Sequence, residues 1–151
     1  MNEIAAVLRR VHNVFDVLDE EDLEAIAARC TLRDIPRGGT LFEEGDPGEY
    51  LAVIVAGKLE VRKSAPAGGR PFLVAVLGPG STIGEFSIMD GHPRTAGAVA
   101  VEDTSLVLLA KNDLEAFTDE HPRGGARFYK ALGHMLVIRL RKAMERISIL
   151  S

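Results

Sequence analysis

The chain has 151 residues, with 18 Lys and Arg against 22 Asp and Glu for a formal charge of −4. Its length suits one domain with its own core. The 46% of apolar residues exclude a disordered or low-complexity chain, and the acidic balance lacks the basic excess that accompanies nucleic-acid binding. Cys30 is the single cysteine, which excludes an internal disulfide and a cysteine-rich zinc site. No cationic leader and no apolar run of about 20 residues is present, so a cytoplasmic chain that does not cross a membrane is expected.

Residues 2 to 17 place Ile4, Val7, Leu8, Val11, Phe15 and Leu18 at three- and four-residue spacings, which predicts one amphipathic helix. Asp19 then caps a second helix whose first turn holds Glu20, Glu21 and Asp22 and whose inner face holds Leu23, Ile26 and Ala27. Cys30 ends this alanine-rich helix and is read as a packing residue.

From Thr31 to Ala110 the texture changes to short apolar runs punctuated by glycine and proline. The runs Thr40 to Phe42, Tyr50 to Val55, Lys58 to Arg62, Phe72 to Leu77, Thr95 to Val101 and Thr104 to Ala110 predict an antiparallel sandwich or barrel. Ser64 to Arg70 reads as a hairpin loop. Glu85 to Met89 breaks the rhythm as a single helical turn inside a β region, and an interruption of that kind has a functional cause.

Lys111, Asn112 and Asp113 open a further helix with Leu114 and Phe117 inward, which His121 and Pro122 break. A last helix is expected from about Ala126 to Ile147, with Tyr129, Leu132, Leu136, Leu140, Ala143 and Ile147 along one stripe. The basic residues Arg139, Arg141, Lys142 and Arg146, with Glu145 among them, read as a solvated face of that helix.

The chemistry concentrates between residues 84 and 96. Gly84 opens a short turn with free amides, Glu85 follows, and Arg94 returns beside the hydroxyl of Thr95. Free amides attract an anion, and a guanidinium adds a two-pronged, charge-assisted clamp, so a phosphate ester fits here. Glu85 suits such a site only if the ligand also carries a donor, as a sugar hydroxyl does. Each residue has a plainer reading: Arg94 as a surface arginine after Pro93, Glu85 as a first-turn acid, Thr95 as a strand threonine. Phe86, Ile88 and Met89 read as core side chains that hold the segment against the β region. His12, His92, His121 and His134 are scattered, with no H-x-H or H-E-x-x-H pair and no nucleophile elbow beside a histidine and an acid. Neither an enzyme nor a metal site is expected.

The run Gly84-Glu85-Phe86-Ser87-Ile88-Met89, followed by Pro93-Arg94-Thr95-Ala96-Gly97-Ala98, resembles the phosphate-binding cassette of the cyclic-nucleotide-binding domain family. That family occurs in bacterial catabolite activators, kinase regulatory subunits and gated channels. Gly97 and Ala98 depart from its pattern, where Thr or Ser and then Val are usual. The stretch from Leu41 to Tyr50, Leu51 to Lys63 with its Gly57 turn, and the flanking helices extend the resemblance over nearly the whole chain.

The resemblance implies a mainly β fold, an antiparallel double-stranded β-helix or jelly-roll-like β-roll of about eight strands, with N-terminal helices and a long C-terminal helix. The expected layout is a single domain over 1–151, with a helical segment 1–30, a roll 31–110 holding the cassette at 84–96, and C-terminal helices 111–151. It implies a sensor for a cyclic purine nucleotide, cAMP before cGMP, with Gly84, Glu85, Phe86, Arg94, Thr95 and Ala96 as ligand-binding residues and no other cofactor. Arg94 would neutralise the phosphate, backbone amides near Phe86 and Thr95 would complete its cradle, and Glu85 would accept from the ribose 2′-hydroxyl. The last helix would move on binding and offer a homodimer contact. The output would pass to an effector protein or fused domain, because many bacterial relatives carry a helix-turn-helix domain after this helix and the present sequence stops at Ser151. Nucleic acid and membrane are not expected partners. The alternative is a degenerate domain that keeps the fold only as a protein interaction module.

Overall fold

The computed structural model describes residues 2–150, with side chains described through residue 147. Helix α1 (Glu3–Leu8) and a 3₁₀ turn (Val14–Val17) precede α2 (Glu20–Ala27), so the single helix expected over residues 2 to 17 is two pieces. Asn13 causes the break. Its amide donates to the carbonyls of Leu8 and Val11, both at 2.7 Å, and its oxygen accepts from the Phe15 amide, a local alternative to helical hydrogen bonding. The apolar period survives, since Leu8 and Phe15 are both buried. Asp19 caps α2 as expected, accepting from the Asp22 amide at 2.8 Å.

Strands β1 (Thr31–Ile35), β2 (Thr40–Phe42), β3 (Tyr50–Ala56), β4 (Leu59–Lys63), β5 (Phe72–Leu77), β6 (Thr82–Ile83), β7 (Gly97–Ala100) and β8 (Thr104–Ala110) follow. They form two antiparallel four-stranded sheets in the orders β1-β8-β3-β6 and β2-β7-β4-β5. The expected β-roll with helices at both ends is present. The sequence pattern does not mark β1, whose first four residues are all exposed, or β6, which is two residues long.

Strand β3 shows why residues 50 to 55 read as one continuous apolar run. Leu51 and Val53 join Val107 and Leu109 of β8 in a core shared with the helices, whereas Ala52 and Ile54 join Leu106 in the core inside the roll. A sheet covered on both faces has no polar side to alternate with. The β3–β4 turn depends on Gly57, which has φ +96° and where a Cβ would lie 2.4 Å from the Asp103 carbonyl oxygen.

Helices α4 (Lys111–Glu120) and α5 (Pro122–Leu150) complete the chain. Proline suits the first helical position, where no amide is needed, so Pro122 ends α4 and also opens α5, four residues before the expected start. The buried face of α5 is Phe128 and Leu132 with Met135 partly covered, and the Phe128 ring lies 5.0 Å from that of Phe15. The expected stripe is therefore corrected. Leu132 is buried and Tyr129 packs partly, but Leu140 and Ile147 are 61% and 66% exposed, because every described residue of α5 past Arg139 is exposed. Cys30 is buried, its thiol donates to the Ile26 carbonyl, and burial pushes that thiol up to about 12, as a packing residue requires. Among the described residues no helix is long and apolar enough to cross a membrane.

Phe128→Ala is expected to remove about 3–5 kcal/mol from the unfolding free energy, because its ring joins α5 to Phe15 at the centre of the helical core. Urea unfolding at one pH measures the loss.

Candidate functional site

Helix α3 (Glu85–Asp90) sits between β6 and β7, bounded by Gly84 at φ +90° and Gly91 at φ +74°. At Gly84 a Cβ would stand 2.5 Å from Arg94 Nη1 and 2.8 Å from the Tyr50 carbonyl oxygen, so only glycine leaves room for the arginine. Arg94 enters that space. Its Nη2 donates to the Tyr50 carbonyl at 2.7 Å, and its Nη1 makes a longer contact of 3.4 Å with the Gly84 carbonyl. The main chain is held as well, since the Arg94 amide donates to the Asp46 carbonyl and the Gly45 amide to the Arg94 carbonyl, both at 2.8 Å. The turn that supplies these groups is itself closed by Glu43 N donating to Asp46 Oδ2 at 2.9 Å.

Arg94 is 4% exposed. Its guanidinium carbon lies 4.2 Å from the ring centroid of Phe42 and 4.7 Å from that of Tyr50. Burial pulls its pKa down, against the contacts with Tyr50 and Glu85. Glu85 is 5% exposed, and its Oε1 accepts from Arg139 Nη1. Arg139 Nη2 donates to the Thr82 carbonyl at 2.7 Å, so α5 is fastened to the cassette by one side chain. Burial pushes the Glu85 carboxyl above the usual range, outweighing the opposing pull of Arg139 and Arg94.

Two buried side-chain atoms among the described residues have no hydrogen-bond partner: Glu85 Oε2 and Arg94 Nε. One is an acceptor and the other a donor, and each left unsatisfied costs about 1–3 kcal/mol or more. A second hollow, of about 480 Å³, lies between α2 and the start of α5. There Asp22 is paired with His121, 3.2 Å away. The unmet polar atoms single out the cassette.

Gly84, Glu85 and Arg94 thus converge as expected. Thr95 is exposed, and its carbonyl accepts from Lys63 Nζ at 2.9 Å; Ala96 is half-buried behind it. The core reading of the cassette side chains holds only for Ile88. Phe86 and Met89 are 50% and 47% exposed, because a single short helix that turns Glu85 and Ile88 inward must turn their neighbours at the same three-residue spacing outward. Phe86 lines a hollow of about 460 Å³ with Lys63, Arg94 and Thr95. Gly97 and Ala98 do not interrupt β7, which pairs them with Arg62 and Val61 of β4.

Arg139 corrects the reading of the basic cluster as a solvated face. It lies seven residues after Leu132 and eleven after Phe128, on the buried side of α5, where an apolar stripe leaves no place for a free cation. That spacing was the available signal. Phe42 and Tyr50 carried none, since an aromatic residue at either end of a strand-loop-strand unit reads as ordinary core.

The chain matches the model of the cyclic nucleotide-binding domain over residues 32–121. It is 33% identical over 138 residues to the cyclic AMP receptor protein of Thermus thermophilus, covering 91% of this chain and 62% of that protein. To the CRP-like cAMP-activated global transcriptional regulator of Mycobacterium tuberculosis it is 30% identical over 123 residues, 82% of this chain and 54% of that one. The crystal structure of a cyclic nucleotide-binding domain from Methylobacillus flagellatus matches with a TM-score of 0.85 at 30% identity, over 99% of this chain and 83% of that chain. The chain therefore spans between 54% and 62% of the length of these two curated relatives.

Because burial raises the Glu85 pKa, the folded state holds this proton more tightly than the unfolded chain does. The contribution of Glu85 to stability is then greatest in acid and falls as pH rises through the raised value. Wild type is expected to lose stability relative to Glu85→Gln as pH rises from the ordinary glutamate value of about 4.3 through the raised one. Paired urea titrations from acid to neutral pH check the trend, and a wild type that gains stability relative to Glu85→Gln as pH rises would refute it.

Proposed function

Because the chain belongs to the cyclic nucleotide-binding domain family, we propose that it is a sensor that reversibly binds a cyclic purine nucleotide, cAMP in preference to cGMP. It passes the event on through α5. The observation that carries this reading is the pair of unpartnered buried atoms, Arg94 Nε and Glu85 Oε2. A cyclic nucleotide offers both complements at once, an anionic phosphate for the guanidinium and a ribose 2′-hydroxyl for the carboxylate. Backbone amides near Phe86 and Thr95 would complete the phosphate cradle. An interaction-only scaffold has no use for a desolvated donor and acceptor, so the same pair weighs against that alternative.

Glu85 also supports a route outward. Its Oε1 holds Arg139 of α5 while its Oε2 is free for the ligand, so nucleotide and helix would meet on one carboxylate. A ligand shifts the seat of α5 only by its differential affinity for two arrangements, commonly about 1–3 kcal/mol. Around and beyond Arg139 the exposed Val137, Leu140, Met144 and Ile147 fall at spacings of three, four and three, a heptad seam suited to a second copy of the helix. The domain would then act, without catalysis of its own, on an effector protein or fused domain. The choice of cAMP is supported by the receptor and the regulator to which the chain is similar, both named for it; the Thr95 hydroxyl serves either purine.

Calorimetric titration with cAMP and cGMP tests the reading, and absence of binding by both would refute it. Arg94→Ala is expected to weaken cAMP by about a hundredfold or more, from the loss of charge-assisted bonds worth roughly 1.5–3 kcal/mol each, with the circular dichroism spectrum unchanged. Hydrogen exchange over residues 126–147 is expected to respond to saturating cAMP in the wild type. In Arg139→Ala that response should vanish while binding persists; an equal response in both proteins would exclude Arg139 as the link.

A further inference from the structure

Resting on the reading of the cassette as a cyclic-nucleotide site, we propose that Phe42 and Tyr50 act as positioning residues, an aromatic notch that holds the guanidinium of Arg94 at a fixed angle for an anionic phosphate. The two rings come from different sheets. Phe42 ends β2 and Tyr50 begins β3, and their centroids are 6.4 Å apart with planes at 62°. The guanidinium carbon sits over both, at 4.2 Å and 4.7 Å. The Tyr50 hydroxyl reaches toward the Leu41 carbonyl, 3.4 Å away, and so ties its ring to the residue next to Phe42.

What makes the notch more than packing is what Arg94 lacks. Among the described residues no carboxylate forms an ion pair with it, although it is almost fully buried. A carboxylate would hold the arginine as firmly, but it would cancel the charge and repel an incoming phosphate. Ring faces attract a desolvated cation through their quadrupole without accepting its N–H groups in the plane where phosphate oxygens dock. The carbonyls of Tyr50 and Gly84 take Nη2 and Nη1, the rings cover the faces, and Nε is left for the ligand. Side-chain ordering that would otherwise accompany binding is already complete.

The test compares wild type, Phe42→Leu, Tyr50→Leu and Tyr50→Phe against cAMP and its uncharged methyl triester, alongside the NMR signal of Arg94 Nε–Hε in the protein without nucleotide. Each leucine variant is expected to bind cAMP about tenfold more weakly while its affinity for the neutral triester is unchanged. Tyr50→Phe should stay within about twofold of wild type on both, because it keeps the ring. Equal losses on the charged and neutral ligands, or no loss on either, would overturn the proposal. The NMR arm needs no variant to fold: a wild-type Arg94 signal shifted by ring currents supports the notch, and one at the ordinary arginine position overturns it. A ring-shifted signal in a protein that binds no cAMP would instead refute the ligand reading of the site and leave the notch standing.

Discussion

The structure is organised around one buried positive charge. Arg94 is a guanidinium at 4% exposure, and desolvating an unpaired ion costs several kcal/mol even after relaxation. The fold offsets that cost with dipoles and ring faces in place of a countercharge. Two backbone carbonyls, from the start of β3 and from Gly84, point at its nitrogens. Two aromatic rings cover its carbon.

These supports come from parts of the chain that the roll brings together. The Glu43–Asp46 turn clips the Arg94 main chain from one side. On the other side Gly84 leaves room for the side chain at the mouth of α3. The second charge of the site, Glu85, is balanced from the far end of the sequence by Arg139. A carboxylate and a guanidinium 54 positions apart thereby join the cassette to the last helix, and the carboxylate keeps one oxygen out of that bond.

The β-roll, the Asp19 cap, the break at Pro122 and the triad of Gly84, Glu85 and Arg94 were legible because each rests on local chemistry or on a motif with fixed spacing. Turn glycines, a capping carboxylate and a proline act over a few residues and leave their mark in the sequence. The failures have the opposite character. Asn13 breaks an apolar period that continues unchanged through the break, so periodicity alone cannot see it. The outward turn of Phe86 and Met89 follows from which side of α3 meets β3, a tertiary fact. In sequence Arg139 looks like its charged neighbours, whereas its partner is a carboxylate on another element. The stripe expected on α5 misses Phe128, because Phe128 and Tyr129 are adjacent and both aromatic and only the position of Phe15 decides between them, and it runs too far, because periodicity does not show where the roll ends beneath the helix.

The fastening of α5 by Arg139 has a mechanical side. The helix is held by the core as far as Met135 and by the ion pair at Arg139, and then continues to Leu150. At 1.5 Å per residue the eleven residues past the pair form a rod of about 16 Å, exposed along its described residues. A rotation of about 10° at the pair would sweep the free end through roughly 3 Å, a displacement as large as the difference between packed and separated side chains. Among the described residues the pair with Glu85 and the bond to the Thr82 carbonyl are the last side-chain hydrogen bonds that hold α5, so what lies past them is placed by the stiffness of the helix.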